Sequence, residues 1–196
     1  MSQRIGIVLF DGVEELDAVG PWEVFAAWSH FFPDAEVSVS CLSPVGGTVE
    51  AAKGMTLTAH HSFADAPAYD VLLHPGGRGT RSLMRDDAHL EWVRTQRAAV
   101  PLMTSVCTGS LVYAAAGLLH GRPATTHWGS LELLAETDPT IEVRADDRYV
   151  DDGDVVTSSG VSAGIDMALH LVRRLAGEQR AKEVRRYIQY DPAPPV

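Results

Sequence analysis

The chain has 196 residues, of which 45% are hydrophobic and 21% charged. That length leads us to expect one α/β domain, large enough to bury its core without a metal or disulfide staple, and the composition excludes a disordered or fibrous chain. The formal net charge of −10 repels phosphate backbones and argues against nucleic acid as a partner.

Cys41 and Cys107 are too few for a disulfide framework and suit a reducing compartment. The opening MSQRIGIVLFDG lacks the long apolar region of a signal peptide. The longest uncharged apolar run, 111–119, is short of the ~18 residues that span a membrane. The expectation is a soluble cytoplasmic protein with no membrane partner.

Residues 5–10 (IGIVLF) are a continuous apolar run ending at Asp11-Gly12, as a buried parallel strand does. A helix is expected over 14–30, opened by Glu14, Glu15 and Asp17, with a kink or restart at Gly20-Pro21. Residues 37–42 (VSVSCL) alternate as a second strand, and Gly46-Gly47 and Gly54 punctuate a hairpin. The third buried strand, 71–73, runs into His74-Pro75-Gly76-Gly77, followed by one helix over 80–98. Residues 101–106 (PLMTSV) form the next strand, which stops at Cys107, and a helix follows over 111–116. Beyond a loop at Gly121-Arg122-Pro123, the pattern predicts a helix over 128–136, strands over 141–145 and 147–158 that turn at Asp152-Gly153-Asp154, and a helical stretch over 162–189 broken near Gly177. The tail 191–196 (DPAPPV) reads as an extended surface segment. Strands alternating with helices predict a mostly parallel sheet with helices on both faces.

Sites in such sheets form beyond the carboxyl ends of the strands, where Asp17, Pro75-Gly76-Gly77 and Cys107-Thr108-Gly109 are expected. Cys107 stands at a strand-to-helix elbow, which exposes a nucleophile, and the helix N-terminus is expected to lower its pKa; the bland alternative is a buried apolar filler. Cys41, in mid-strand, is expected to be structural. Gly76 and Gly77 permit close backbone approach, and amides near Gly77 and Thr108 could hold a developing negative charge, although glycine pairs also mark plain turns. Asp17 is either a helix-start acid or a carboxyl kept protonated beside Cys107 as general acid and base. His127 is either a partner for the thiol or a core histidine. His60, His61 and His74 show no ligand spacing with a third group, so no metal site is expected. His170 reads as packing, and Ser162 as a helix N-cap. Trp22 and Phe25 are either pocket wall or core.

Taken together, Asp11-Gly12-Val13-Glu14-Glu15-Leu16-Asp17, Pro75-Gly76-Gly77, Ser105-Val106-Cys107-Thr108-Gly109, Ala124-Thr125-Thr126-His127-Trp128 and Ser159-Gly160-Val161-Ser162-Ala163-Gly164-Ile165-Asp166 resemble the ThiJ/PfpI superfamily, in order and over nearly the whole chain. The resemblance implies a flavodoxin-like three-layer sandwich akin to class I glutamine amidotransferases, a homodimer, and Cys107 as nucleophile with an acid from the first helix beside its sulfur. Asp17 and Thr108 are similar to the isocyanide hydratase branch. That implies a cofactor-free, carbon–oxygen lyase type hydration of a small-molecule isocyanide to an N-formamide, catalysed by Cys107 and Asp17, with Gly77 and Thr108 binding and Gly76, His127 and Trp22 near the pocket. Two alternatives stay open: another cysteine-dependent enzyme such as a glyoxalase-like hydratase, or a redox or small-molecule sensor. The sensing domains of AraC-type regulators share these motifs but continue into a helix-turn-helix region, which is not expected here.

Overall fold

The computed structural model describes residues 3–191. Strand β1 (Gln3–Val8) leads to the unbroken helix α1 (Glu15–Phe31), then β2 (Val37–Ser43), the hairpin β3 (Gly47–Glu50) and β4 (Thr56–Ala59), and the short β5 (His61–Ser62). Next come β6 (Val71–His74), α2 (Thr80–Leu83), α3 (Asp87–Ala99), β7 (Leu102–Val106) and α4 (Gly109–Ala115). The chain continues with β8 (Pro123–Ala124), a 3-10 turn, α5 (Leu131–Thr137), β9 (Glu142–Val143), β10 (Tyr149–Asp151), β11 (Val155–Ser158), α6 (Ala163–Ala176) and α7 (Glu178–Tyr187).

Seven strands form the main sheet in the order β10-β11-β7-β6-β1-β2-β5. Every pairing is parallel except that of the edge strand β10. The central strands β6, β7 and β11 are buried at every position. From β1 the chain crosses through α1 to β2 on one side; from β6 it crosses through α2 and α3 to β7 on the other. Right-handed crossovers in opposite directions place their helices on opposite faces. Accordingly α1, α6 and α7 pack together, while α4 packs against α2, α3 and α5. The direction changes between β1 and β6, so a crevice opens beyond the carboxyl ends of β1, β6 and β7.

Several elements differ from expectation. Pro21 lies inside α1 without a restart; it offers no N–H to the carbonyl four residues back, but the apolar face continues through Val24, Phe25 and Trp28, all buried. The helix expected over 80–98 is two helices, because the Asp86 carboxylate accepts from the N–H groups of Ala88 and His89 and starts α3. Pro123 belongs to the two-residue strand β8, which pairs with β9, and 141–145 contracts to Glu142–Val143. The expected turn at 152–154 joins two separate strands, β10 and β11. Ser162 makes no side-chain cap; its hydroxyl accepts from Arg148. His170 is not simple packing, since Nε2 bonds Asp151 at 2.6 Å. The tail expected over 191–196 lies, past Asp191, outside the described residues. No helix among the described residues is long and apolar enough to cross a membrane.

The start of α4 is pressed onto the end of β6: a Cβ at Gly109 would sit 2.1 Å from the carbonyl oxygen of His74 and 2.9 Å from that of Pro75. In an open helix Gly→Ala stabilises. Here backbone meets backbone, so Gly109→Ala should lower unfolding free energy by roughly 2–3 kcal/mol, read from the urea midpoint. An unchanged or raised midpoint would refute this packing.

Candidate active site

The loops after β1 and β6 are stitched together at the crevice. Val13 bridges Gly77, the Glu14 N–H donates to the Gly76 carbonyl at 2.9 Å, and Gly79 N–H donates to Gly12. This brings Asp17, on the first turn of α1, against the loop after β6. Cys107 follows β7 directly, with φ 55 in the left-handed region, costly for a non-glycine residue. The elbow is pinned on both sides. Cys107 N–H donates to the Ser158 and Ser159 carbonyls at 3.1 and 3.2 Å, and its carbonyl accepts from the Thr126 and Ser110 hydroxyls at 2.9 and 3.1 Å. Val161 is also left-handed at φ 49, and its N–H and that of Thr108 lie near enough to the Cys107 sulfur to favour the thiolate.

Asp17 is fully buried. Its Oδ2 accepts from Gly76 N–H at 2.9 Å, and its carboxyl lies close enough to the Cys107 thiol for each group to shift the other's titration. Oδ1 is buried without a partner of standard geometry among the described residues. Burial pushes the Asp17 carboxyl up to about 7, with the charge of Glu14 adding to it and the Gly76 N–H opposing it. Burial, then the Asp17 charge, pushes the Cys107 thiol up to about 12. The lowered thiol pKa expected from the helix N-terminus is therefore corrected. α4 is only seven residues long, and the N–H groups of Thr108 and Val161 do not offset desolvation beside an acid. The two groups titrate as a pair. Between the two values they hold one proton, and the thiol is the stronger holder.

The glycines make this approach possible. A Cβ at Gly76 would lie 2.5 Å from the Thr108 nitrogen and 2.8 Å from Asp17 Oδ2, and at Gly77 (φ 123) it would lie 2.3 Å from the Glu14 nitrogen. The Gly77 N–H is not an open donor, because it is taken by Thr108 Oγ1 at 3.0 Å. With Gly76 spent on Asp17 and Thr108 N–H near the sulfur, the backbone donors of this site serve the thiol and carboxyl rather than a separate oxyanion.

Cys107, only 5% exposed, lies at the edge of a cavity of about 390 Å³ that Thr108, His127, Trp128, Arg78 and Arg81 also line. No hydrogen bond joins His127 to Cys107 among the described residues. The His127 Nδ1 accepts from Gly129 N–H at 3.1 Å, which puts a neutral ring's proton on Nε2. Trp22 is not at this cavity. It lines a separate apolar one with Cys41 and Leu57 and stacks on His60, while Phe25 is core. Burial pushes the Cys41 thiol up to about 12. His74 Nδ1–H donates to the Pro75 carbonyl at 2.8 Å, and its Nε2 meets His89 Nε2 at 3.0 Å. Desolvation lowers the pair to about 3 and about 4, so both are neutral supports beneath the Pro75-Gly76-Gly77 loop. Sequence reading missed Arg78, Arg81 and Thr126, whose roles depend on loops from distant elements meeting. Among the described residues no three His, Cys, Asp or Glu side chains converge as metal ligands would.

A strained cysteine elbow and a buried acid at the switch point of a parallel sheet define a class of α/β protein built around one sulfur. The DJ-1/PfpI family model matches residues 3–174, and the chain belongs to the DJ-1/PfpI (ThiJ/PfpI) family. It is similar to the isonitrile hydratase of Pseudomonas putida, 42% identical over 196 residues, covering 100% of this chain and 82% of that protein. It is also similar to the HTH-type transcriptional regulator CdhR of Pseudomonas aeruginosa, 30% identical over 94% of this chain and 54% of the regulator. A ThiJ/PfpI family protein from Pseudomonas syringae superposes with a TM-score of 0.89 at 29% identity, covering 100% of this chain and 78% of that one. Drosophila melanogaster DJ-1beta, at 21% identity and TM-score 0.83 over 97% of this chain and 100% of that one, shares the flavodoxin-like α/β sandwich.

The raised carboxyl makes stability depend on pH. Below an ordinary carboxyl value of 3.8, folded and unfolded chains both hold the Asp17 proton; between there and about 7 only the folded chain does. Stability from this group is thus complete in acid and is lost as pH rises through about 7. Asp17→Asn removes the effect, while His74 and His89, which act in the opposite direction, are common to both proteins. The variant's stability relative to wild type should rise between pH 4 and pH 7 by up to about 4 kcal/mol, at ~1.4 kcal/mol per pKa unit, measured by urea unfolding. A flat difference would show that Asp17 titrates normally.

Proposed function

We propose that this protein hydrates isocyanides to N-formamides through a covalent bond to Cys107. The observation that carries the reading is a fully buried carboxyl, Asp17, set beside Cys107 at the edge of a cavity, in a chain similar throughout to an isonitrile hydratase. The terminal carbon of R–NC accepts a soft nucleophile and, once it has done so, needs a proton at the same atom. A thiol beside a carboxylate supplies both. As Cys107 Sγ bonds to the carbon, Asp17 takes the thiol proton and delivers it to that carbon, giving the thioimidate R–N=CH–S–Cys107. Water then adds across C=N, hydroxyl to carbon and proton to nitrogen by way of Asp17. The C–S bond breaks, the hydroxyl proton returns through Asp17 to sulfur, and R–NH–CHO leaves. One water is consumed, and no oxidant, reductant or metal enters the balance.

Negative charge develops on sulfur when the thiol is deprotonated and again when the tetrahedral species collapses. That is where the N–H groups of Thr108 and Val161 lie, so their role is to hold the thiolate. The strained elbow fixes the sulfur against the acid, and Thr126 keeps the elbow in place.

Cys107→Ala should abolish formamide production from an aryl isocyanide. Asp17→Asn should lower kcat by about 10²-fold or more with the fold retained by circular dichroism. Turnover by Cys107→Ala would contradict the nucleophile. If the wild type hydrates no isocyanide and Cys107 instead gains two oxygens under mild peroxide, seen by intact mass, the hydratase reading falls and a redox sensor stands in its place.

A further inference from the structure

Two arginines line the Cys107 cavity and have no part in the chemistry above: Arg78 and Arg81, on the turn after β6 and on α2. Arg81 is anchored. Its Nη1 donates to Thr80 Oγ1 and its Nη2 to Ser130 Oγ, each at 3.0 Å. Thr80 Oγ1 in turn donates to Thr108 Oγ1 at 3.1 Å. The arginine is thus tied through two hydroxyls to the residue that follows the reactive cysteine. Neither Arg78 nor Arg81 has a carboxylate partner among the described residues. Glu14, the acid among the lining residues, is already paired with Lys53. In a chain of net charge −10, this is a local excess of positive charge beside Cys107.

We infer that the isocyanides this site takes best carry a carboxylate, bound by Arg78 and Arg81 while the isocyanide carbon meets Cys107; the inference rests on the hydratase reading. A guanidinium held in place loses little freedom on binding, and its planar fork matches a carboxylate. A phosphate cradle would want free backbone N–H groups as well, and those of Gly76 and Gly77 are committed to Asp17 and Thr108. The cavity, about 390 Å³, suits a small organic acid. Trp128, 79% exposed beside His127, offers an aromatic face to the organic part of such a substrate. The product is an N-formylamino acid. Arg78 and Arg81 are specificity-determining residues and take no part in bond making.

The test compares para-isocyanobenzoate with its methyl ester. The wild type should favour the acid in kcat/KM by about tenfold, as a charge-assisted hydrogen bond implies, with the difference in KM. The ratio should fall towards one in Arg78→Gln and further in Arg78→Gln/Arg81→Gln. Equal use of acid and ester by the wild type, or a preference that survives the double variant, overturns the inference. If neither compound is hydrated, the hydratase reading has failed, and anion selection is read from Cys107 itself. The ratio of its alkylation rates with iodoacetate and iodoacetamide, relative to glutathione, should be raised in the wild type and fall about tenfold in the double variant. An unchanged ratio overturns the inference in that arm.

Discussion

A carboxyl and a thiol buried side by side cannot both be charged, and most of the structure around them follows from that constraint. Desolvation favours the neutral form of each, and the first charge repels the second, so above about pH 7 Asp17 and Cys107 hold one proton between them. The Gly76 N–H opposes the rise on the carboxyl, and the Thr108 and Val161 N–H groups oppose it on the sulfur. These donors keep either microstate within reach. A carboxyl and a thiol so placed suit the proposed reaction, in which the substrate carbon must gain a nucleophile and a proton.

Holding two groups of this kind together requires a backbone that ordinary turns do not provide. Cys107 and Val161 both stand in the left-handed region, and Gly76 and Gly109 have room for no side chain. The parallel sheet carries this strain, because β6, β7 and β11 lie adjacent and buried. The neutral His74–His89 pair fills the space beneath the loop without bringing a charge to it. The Pseudomonas putida isonitrile hydratase likeness covers the whole chain, so elbow, acid and glycine loop fall within one shared framework.

Much of this was legible in the residues. The apolar runs at 5–10, 71–73 and 101–106 announce buried strands, and Asp17, Gly76-Gly77 and Cys107 fall at their ends for the same reason. What stayed hidden depends on contacts between distant segments. Asp86 starts a helix only because its carboxylate meets two N–H groups, so one expected helix became two. Trp22 could be placed on α1 but not on the side away from Cys107. Arg81 is tied down only where Ser130 arrives from beyond α4. The direction of the Cys107 shift was misread because a helix start favours a thiolate in isolation, whereas burial and Asp17, visible only in three dimensions, act more strongly.

The shared proton can be observed directly by isotope-edited NMR titration of the Asp17 carboxyl. The midpoint should lie near pH 7 and move higher in Cys107→Ala, where the thiol no longer favours the carboxylate. A midpoint near pH 4 in both proteins, that of an ordinary aspartate, would contradict this.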